Sequence, residues 1–157
     1  MSRGYKYLFK DAFAVIGKAG QGPVDNPYEW VGPLWARANA GFPEIAALAI
    51  KDANGAPSVW GAMNDVTEAN KRWDNSGGKY LAGVEADIDA APPEGWTKWI
   101  IPAQHYLVAE TTMDAEYGKV FAAVVNDASV QIIAAVHERY PRPDNPSIVE
   151  LWFPIKK

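Results

Sequence analysis

Hydrophobic and polar residues alternate along the last predicted strand of the chain, at about 148–155. Because side chains alternate faces along a strand, four apolar residues share one face, which is predicted to be core: Val149, Leu151, Phe153 and Ile155. Glu150 and Trp152 share the other face, and a carboxylate beside an indole suits a flat organic cation. Removing a carboxylate from water costs several kcal/mol unless it is paired or protonated, so Glu150 is a candidate functional residue. The alternative is a surface carboxylate on an exposed edge strand.

The same periodicity predicts the elements of the first half of the chain. They are a strand at about 11–18, a helix that opens at Asn26-Pro27 and is kinked or restarted by Pro33, a helical segment at about 43–50, and strands at about 58–64 and 79–89. Glycines are predicted to end the first strand. In the last of these strands Glu85 lies on the face opposite Tyr80, and the neighbouring Asp87 leaves open that this face is in solvent.

The second half of the chain repeats this order. It is predicted to contain a strand at about 96–111 that bends near Pro102, a helix at about 115–125 capped by Asp114, and strands at about 130–140 and 148–155. The pattern at 129–136 fits a helix equally well. A Pro-Pro-Glu-Gly connector separates the halves, so we predict one domain, 1–157, with repeats at about 9–90 and 96–157.

Composition narrows the class of function. Of the 157 residues 48% are hydrophobic and 22% are charged, and a net charge of −4 with scattered Lys and Arg argues against a nucleic-acid partner. There is no Cys and there are two His, which argues against a structural zinc centre and leaves a carboxylate-based metal site as the alternative. We expect no metal and no cofactor. No apolar run approaches the ~20 residues of a membrane span, and the N-terminus lacks a signal-peptide pattern. A cytoplasmic protein without membrane contacts is expected.

Aromatic residues are the outlier in this composition. Seven Trp and seven Tyr exceed what a small core needs, and aromatic side chains commonly line ligand pockets. The alternative for any single Trp is ordinary core packing. The tryptophans are spread along the chain rather than grouped: Trp30, Trp35, Trp60, Trp73, Trp96, Trp99 and Trp152.

Five stretches of the chain resemble motifs of the GyrI-like effector-binding domains. Tyr80-Leu81-Ala82-Gly83-Val84-Glu85 resembles the family's aromatic-x-x-Gly-Val-Glu strand, and Pro93-Glu94-Gly95-Trp96 resembles its Pro-x-Gly lead into the second repeat. Ile101–Val108 resembles its Ile-Pro-Ala-Gly-x-Tyr-x-Val segment. Glu138-Arg139-Tyr140 with 149–155 resembles its Glu-x-Tyr and terminal Glu-hydrophobic-aromatic-hydrophobic-Pro motifs, and Pro33-Leu34-Trp35 matches its first helix. Together these stretches cover nearly the whole chain.

The resemblance implies an α+β fold in which two pseudo-symmetric β-α-β-β repeats form a largely antiparallel, curved sheet. Helices pack on this sheet, and a ligand cleft lies between the repeats. Family members bind drug-like, often cationic compounds in that cleft. Many are fused to a DNA-binding helix-turn-helix domain, whereas this chain resembles the stand-alone members. The implied partner is a small hydrophobic or cationic organic molecule.

The resemblance also assigns ligand-binding residues. Glu150 is implied as the central acid of the cleft, with Trp152 beside it. Glu85 occupies the equivalent strand of the first repeat, so it is expected to face the same cavity. Three aromatic residues are expected to line the pocket: Trp96, Tyr106 and Trp60.

The Glu-x-Tyr segment is assigned a structural role. Glu138 and Tyr140 are expected to stabilise the fold, with Glu138 acting as a cap or pairing with Arg139 or Arg142. The two histidines are expected to be half-exposed strand residues: His105 and His137.

Three classes of function remain open. The favoured one is a small-molecule binding module for a hydrophobic, cationic ligand. The second is a hydrolase of a reactive, cyclopropanoid-type molecule, in which a desolvated Glu150 or Glu85, together with Tyr106, supplies general acid or base catalysis. The third is a protein-interaction role, as in gyrase-inhibitor-like modulators, where exposed aromatics form a partner surface or support a homodimer.

Overall fold

The computed structural model describes residues 5–65, 70–73, 77–142 and 144–156. These ranges contain eight β-strands, two α-helices and two short 3-10 turns, Phe42–Glu44 and Ala46–Leu48. In chain order the main elements are β1 (Lys6–Lys10), β2 (Phe13–Gly22), α1 (Tyr28–Ala40), β3 (Val59–Asp65), β4 (Gly78–Ala86), β5 (Thr97–Ile101), β6 (Gln104–Thr112), α2 (Ala115–Val125), β7 (His137–Tyr140) and β8 (Ile148–Ile155). The predicted α+β class is confirmed.

One curved antiparallel sheet contains all eight strands, in the order β1-β6-β8-β7-β3-β4-β2-β5. The two strands at its centre, β3 and β7, join the halves of the chain through the pairs Trp60–Arg139 and Gly61–Glu138. The first and fifth strands lie at the outer edges, each against a strand from the other half of the chain. This order agrees with the two-repeat plan, and the repeat boundaries at 9–90 and 96–157 stay a prediction.

Both α-helices pack on the same face of the sheet. Beneath α1 the core contains Leu34 and Ala38 against apolar residues of β2 and β4, and beneath α2 it contains Val120 and Val124 against Leu151 and other residues of β6 and β8. The opposite face carries a separate cluster with Phe13, Val15, Trp60, Leu81, Tyr106, Val108 and Trp152. Strand alternation therefore gives the sheet two different surfaces.

Glycines in β2 do not end the strand where the sequence predicts. β2 continues to Gly22, because Gly17 faces Gly83 across the β2–β4 ladder and lets the two backbones approach closely. A Cβ at Gly17 would lie 2.1 Å from the Ala82 carbonyl oxygen. These glycines let two strands pair closely and do not form a turn.

Other boundaries also differ from the pattern. The segment predicted as helical at 43–50 forms the two 3-10 turns, and α1 runs through Pro33 without interruption. The strand predicted at 130–140 is shorter, because apart from an isolated bridge at Ile132 only β7 joins the sheet. α2 and β8 have the predicted bounds, and Asp114 caps α2 by accepting from the Glu116 N–H. In the described part of the chain, no helix has both the length and the hydropathy to cross a membrane.

Candidate functional site

A cavity of about 610 Å³ opens between α1 and α2, above the centre of the sheet. Its walls are mostly aromatic or apolar and come from both helices and from the middle strands, including Val31, Trp35, Met63, Trp73, Met113 and Phe121. Glu138 of β7 lies at its base among tyrosines. We refer to this space as the helix-side cavity.

Three tyrosine hydroxyls donate hydrogen bonds to the buried Glu138 carboxylate. Tyr80 and Tyr140 donate to Oε1 at 2.5 and 3.0 Å, and Tyr117 donates to Oε2 at 2.5 Å. Trp35 in turn donates from its indole N–H to the Tyr80 hydroxyl at 3.0 Å. The carboxylate is thus held by neutral donors from β4, β7 and α2.

Local sequence explains how these groups meet. Alternation in β7 turns Glu138 and Tyr140 toward the helices, and the facing residue of β3 is Gly61. A Cβ at Gly61 would lie 1.8 Å from the Tyr80 hydroxyl oxygen, so the missing side chain leaves the space through which Tyr80 reaches Glu138. Tyr117 is positioned by the capped start of α2.

Glu138 forms no ion pair with a described residue, and the cation in the cavity wall, Arg72, is not within ion-pair distance of it. Burial raises the pKa of Glu138 above its ordinary value, and the hydrogen bonds from the tyrosines oppose part of that rise. Burial, together with the nearby Glu138 charge, raises the pKa of Tyr80 and Tyr117, so both phenols remain donors at neutral pH.

A second cavity of about 410 Å³ lies on the opposite face of the sheet, and we call it the back cavity. It is lined by two carboxylates that are each paired with a cation. Lys10 Nζ lies 3.0 Å from Glu85 Oε2, and Arg139 Nη1 lies 3.3 Å from Glu150 Oε1. Both carboxylates also accept from an indole N–H: Trp60 donates to Glu85 at 3.2 Å and Trp152 to Glu150 at 3.1 Å.

The sequence matches no protein-family model and no curated protein. Solved structures nevertheless align with it over nearly the whole chain. SAV2435 bound to tetraphenylphosphonium gives a TM-score of 0.70 at 18% identity, covering 97% of this chain and 93% of that one. A putative bacterial transcription regulation protein from Staphylococcus aureus MU50 gives 0.68 at 17% identity, covering 99% and 100%. The C-terminal domain of EcmrR gives 0.58 at 15% identity, covering 100% and 99%. The chain has the GyrI-like fold.

In this GyrI-like fold, four of the six predicted ligand-binding residues lie together in the back cavity: Glu150, Trp152, Trp60 and Glu85. β8 is an interior strand and Glu150 is buried, so the edge-strand alternative for Glu150 is wrong. Glu85 is buried as well, which excludes the solvent alternative for its face. That this group of residues binds a ligand stays a prediction.

The other two predicted residues lie apart from both cavities. Tyr106 packs under Trp152 with ring centroids 5.2 Å apart, and burial raises its pKa to about 12. Trp96 donates its indole N–H to Glu44 and carries Lys18 Nζ 4.0 Å above its ring centroid. Neither residue is among the described residues that line the helix-side cavity or the back cavity.

Glu138 is the residue that sequence reasoning placed differently. It was expected to cap or to pair with Arg139 or Arg142, yet its three partners are tyrosines and it lies at the base of the helix-side cavity. The Glu-x-Tyr motif was a usable signal, because alternation puts both residues on one face. His137 also differs from expectation, since it is fully buried.

Proposed function

We propose that the protein binds a lipophilic organic cation in the helix-side cavity, with Glu138 as the counter-charge. The observation that carries this proposal is a buried carboxylate, surrounded by aromatic rings, with no cationic partner among the described residues. A buried charge without a counter-charge is costly, so a ligand cation that enters the cavity recovers favourable electrostatic energy.

The walls of the cavity favour a poorly hydrated cation. A small inorganic ion or a primary ammonium would lose strong hydration on entry, and apolar rings would not replace it. An aromatic or alkylated onium ion loses little hydration and gains contact with the rings of Trp35, Trp73 and Phe121. Each ring placed over the cation adds roughly 0.5–2 kcal/mol. The cavity volume of about 610 Å³ is typical of small-molecule sites.

One structural neighbour has a ligand of the same class. SAV2435, which shares the fold at a TM-score of 0.70, was solved bound to tetraphenylphosphonium, a bulky aromatic cation. At 18% identity this likeness concerns the fold, so the ligand class for this chain rests on its own cavity and carboxylate.

A titration with tetraphenylphosphonium tests the proposal. We expect saturable binding by the wild-type protein, measured by tryptophan fluorescence and calorimetry, because Trp35 and Trp73 line the cavity. Glu138→Gln keeps the side-chain shape and removes the charge, and it is expected to weaken binding about 10- to 150-fold, as for a lost charged contact. Glu150→Gln, on the opposite face, is the matched control and should leave the affinity unchanged.

Two outcomes would refute this assignment. Equal affinity of wild type and Glu138→Gln would remove the role of the carboxylate. A loss of affinity in Glu150→Gln but not in Glu138→Gln would place the cation at Glu150 in the back cavity instead. Five other predictions stay untested. They are the hydrolase role for Glu150, Glu85 and Tyr106, the protein-interaction role, the homodimer, the cytoplasmic location and the stand-alone state.

A further inference from the structure

The back cavity has the opposite electrostatic character from the helix-side cavity. Its two buried carboxylates are each neutralised by a protein cation, through Lys10–Glu85 at 3.0 Å and Arg139–Glu150 at 3.3 Å. A ligand cation at these carboxylates would have to displace Lys10 or Arg139. The reason given for a cation at Glu138, a buried acid without a partner, does not apply on this face.

Two exposed lysines line the back cavity without an ion-pair partner among the described residues. Lys6 and Lys51 are exposed lining residues, and neither has a carboxylate within ion-pair distance among the residues that the structure describes. The third acidic lining residue, Asp52, uses Oδ1 to accept the backbone N–H groups of Asn54 and Ala56. Four cationic residues thus line the cavity against three acidic ones, although the chain as a whole carries a net charge of −4.

The floor of the back cavity is aromatic. The rings of Trp60 and Trp152 meet edge to face with centroids 5.0 Å apart, and Val108 and Leu8 extend the apolar surface beside them. Both indole N–H groups are already bonded to the paired carboxylates. Trp60 is only 1% exposed and Lys10 Nζ lies 5.8 Å from its ring centroid, so the accessible apolar surface comes from Trp152, Leu8 and Ile50. Such a floor favours a flat ring.

We propose that the back cavity is a separate binding site for a small aromatic carboxylate. The ring of the ligand lies against Trp152, Leu8 and Ile50, and its carboxylate faces Lys6 and Lys51, with Lys10 and Arg139 adding positive potential. The site is distinct from the proposed cation site, because the sheet lies between the two cavities. Its existence does not depend on cation binding at Glu138.

Three naphthalene probes of similar size and different charge test this inference on the full chain by calorimetry. They are 2-naphthoate, 2-naphthamide and 2-naphthylmethylammonium. We expect 2-naphthoate to bind at least tenfold more tightly than the amide, and the ammonium probe to bind most weakly. Lys6→Gln and Lys51→Gln are exposed substitutions that should leave the thermal unfolding temperature unchanged. Each is expected to weaken 2-naphthoate about three- to fivefold, as for a partly exposed ion pair.

Competition separates this site from the cation site. Saturating tetraphenylphosphonium, or the Glu138→Gln substitution, should leave the affinity for 2-naphthoate within about twofold of its original value. Displacement of 2-naphthoate by tetraphenylphosphonium would overturn the inference. The same holds if the ammonium probe binds more tightly than 2-naphthoate, if neither lysine variant weakens 2-naphthoate binding, or if 2-naphthoate does not bind at millimolar concentration. Loss of tetraphenylphosphonium binding alone would refute only the proposed function.

Discussion

Gly61 is the position where one methyl group should test the architecture of the helix-side cavity. In Gly61→Ala the new Cβ would lie 1.8 Å from the Tyr80 hydroxyl oxygen, 2.5 Å from the adjacent ring carbon and 2.8 Å from Glu138 Oε1. Such contacts are too short to exist, so the Tyr80 ring must move. Its movement breaks the hydrogen bond to Glu138 at 2.5 Å and the one from Trp35 at 3.0 Å.

The expected cost follows from these two bonds. The bond to the charged carboxylate contributes about 1.5–3 kcal/mol and the neutral bond about 0.5–1.5 kcal/mol. Alanine recovers about 0.4–1 kcal/mol by reducing the entropy of the unfolded chain. The free energy of unfolding should therefore fall by roughly 1–4 kcal/mol in Gly61→Ala, and tetraphenylphosphonium should bind more weakly because the displaced ring disturbs the site.

Urea unfolding measures this effect, and two further variants control it. Gly118→Ala on α2, where a Cβ meets nothing within 4 Å, should be stabilised by about 0.5–1 kcal/mol. In a Tyr80→Leu background the Gly61→Ala substitution should cost much less, since the clashing ring is gone. If Gly61→Ala is as stable as wild type, or costs the same with and without Tyr80, then Tyr80 does not depend on the space at Gly61 and the reasoning is wrong.

The perturbed ionisations give three further predictions. Burial raises the pKa of Glu138 and a bound cation favours its ionised form, so the affinity for tetraphenylphosphonium should rise with pH until Glu138 is fully ionised. In Glu138→Gln this pH dependence should be absent, and a flat wild-type profile between pH 4.5 and 8 would contradict the prediction. Because its pKa is raised, Glu138 holds its proton more tightly in the folded protein than in the unfolded chain, so the ligand-free wild type should lose stability as the pH rises above about 4.5. The unfolding free energy of Glu138→Gln relative to wild type should therefore increase between pH 4 and pH 8, as measured by urea unfolding. Burial lowers the pKa of His137 to about 3, so the unfolded chain takes up this proton first, and stability should fall by up to about 1.4 kcal/mol per pH unit as the pH drops below about 6.5. His137→Asn, which can keep an acceptor for the Met63 N–H, should remove this slope. An unchanged slope would assign it to other groups.

Periodicity predicted the elements whose local signals agree with their packing. α2 has a capping Asp114 and an apolar stripe, and β8 alternates cleanly between two buried faces, so both match their predicted bounds. The glycines of β2 were misinterpreted, because their partners are residues of β4 that lie far away in the chain, as Gly83 lies opposite Gly17. A one-dimensional pattern does not contain that pairing.

Glu85, Glu150 and Trp152 were predicted to lie together in space, but the contacts of their carboxylates were not predicted. Strand alternation placed Glu150 beside Trp152, and the resemblance to the GyrI-like domains implied that Glu85 faces the same cavity. The structure has all three residues in the lining of the back cavity. The sequence did not predict the pairing of these acids with Lys10 and Arg139. Lys10 belongs to β1, a strand that was not predicted.

The difference between the two faces explains why a buried acid alone does not locate a cation site. Glu85, Glu150 and Glu138 are all buried beside aromatic rings, and sequence alone ranks Glu150 first. What separates them is the partner: protein cations balance the first two, whereas phenol groups hold Glu138 and supply no charge. Phenols stabilise a carboxylate enough to keep it buried but leave its charge available to a ligand. Tyr80, Tyr117 and Tyr140 therefore determine the proposed site as much as Glu138 does, and they are brought together by the fold from strands and a helix far apart in the chain.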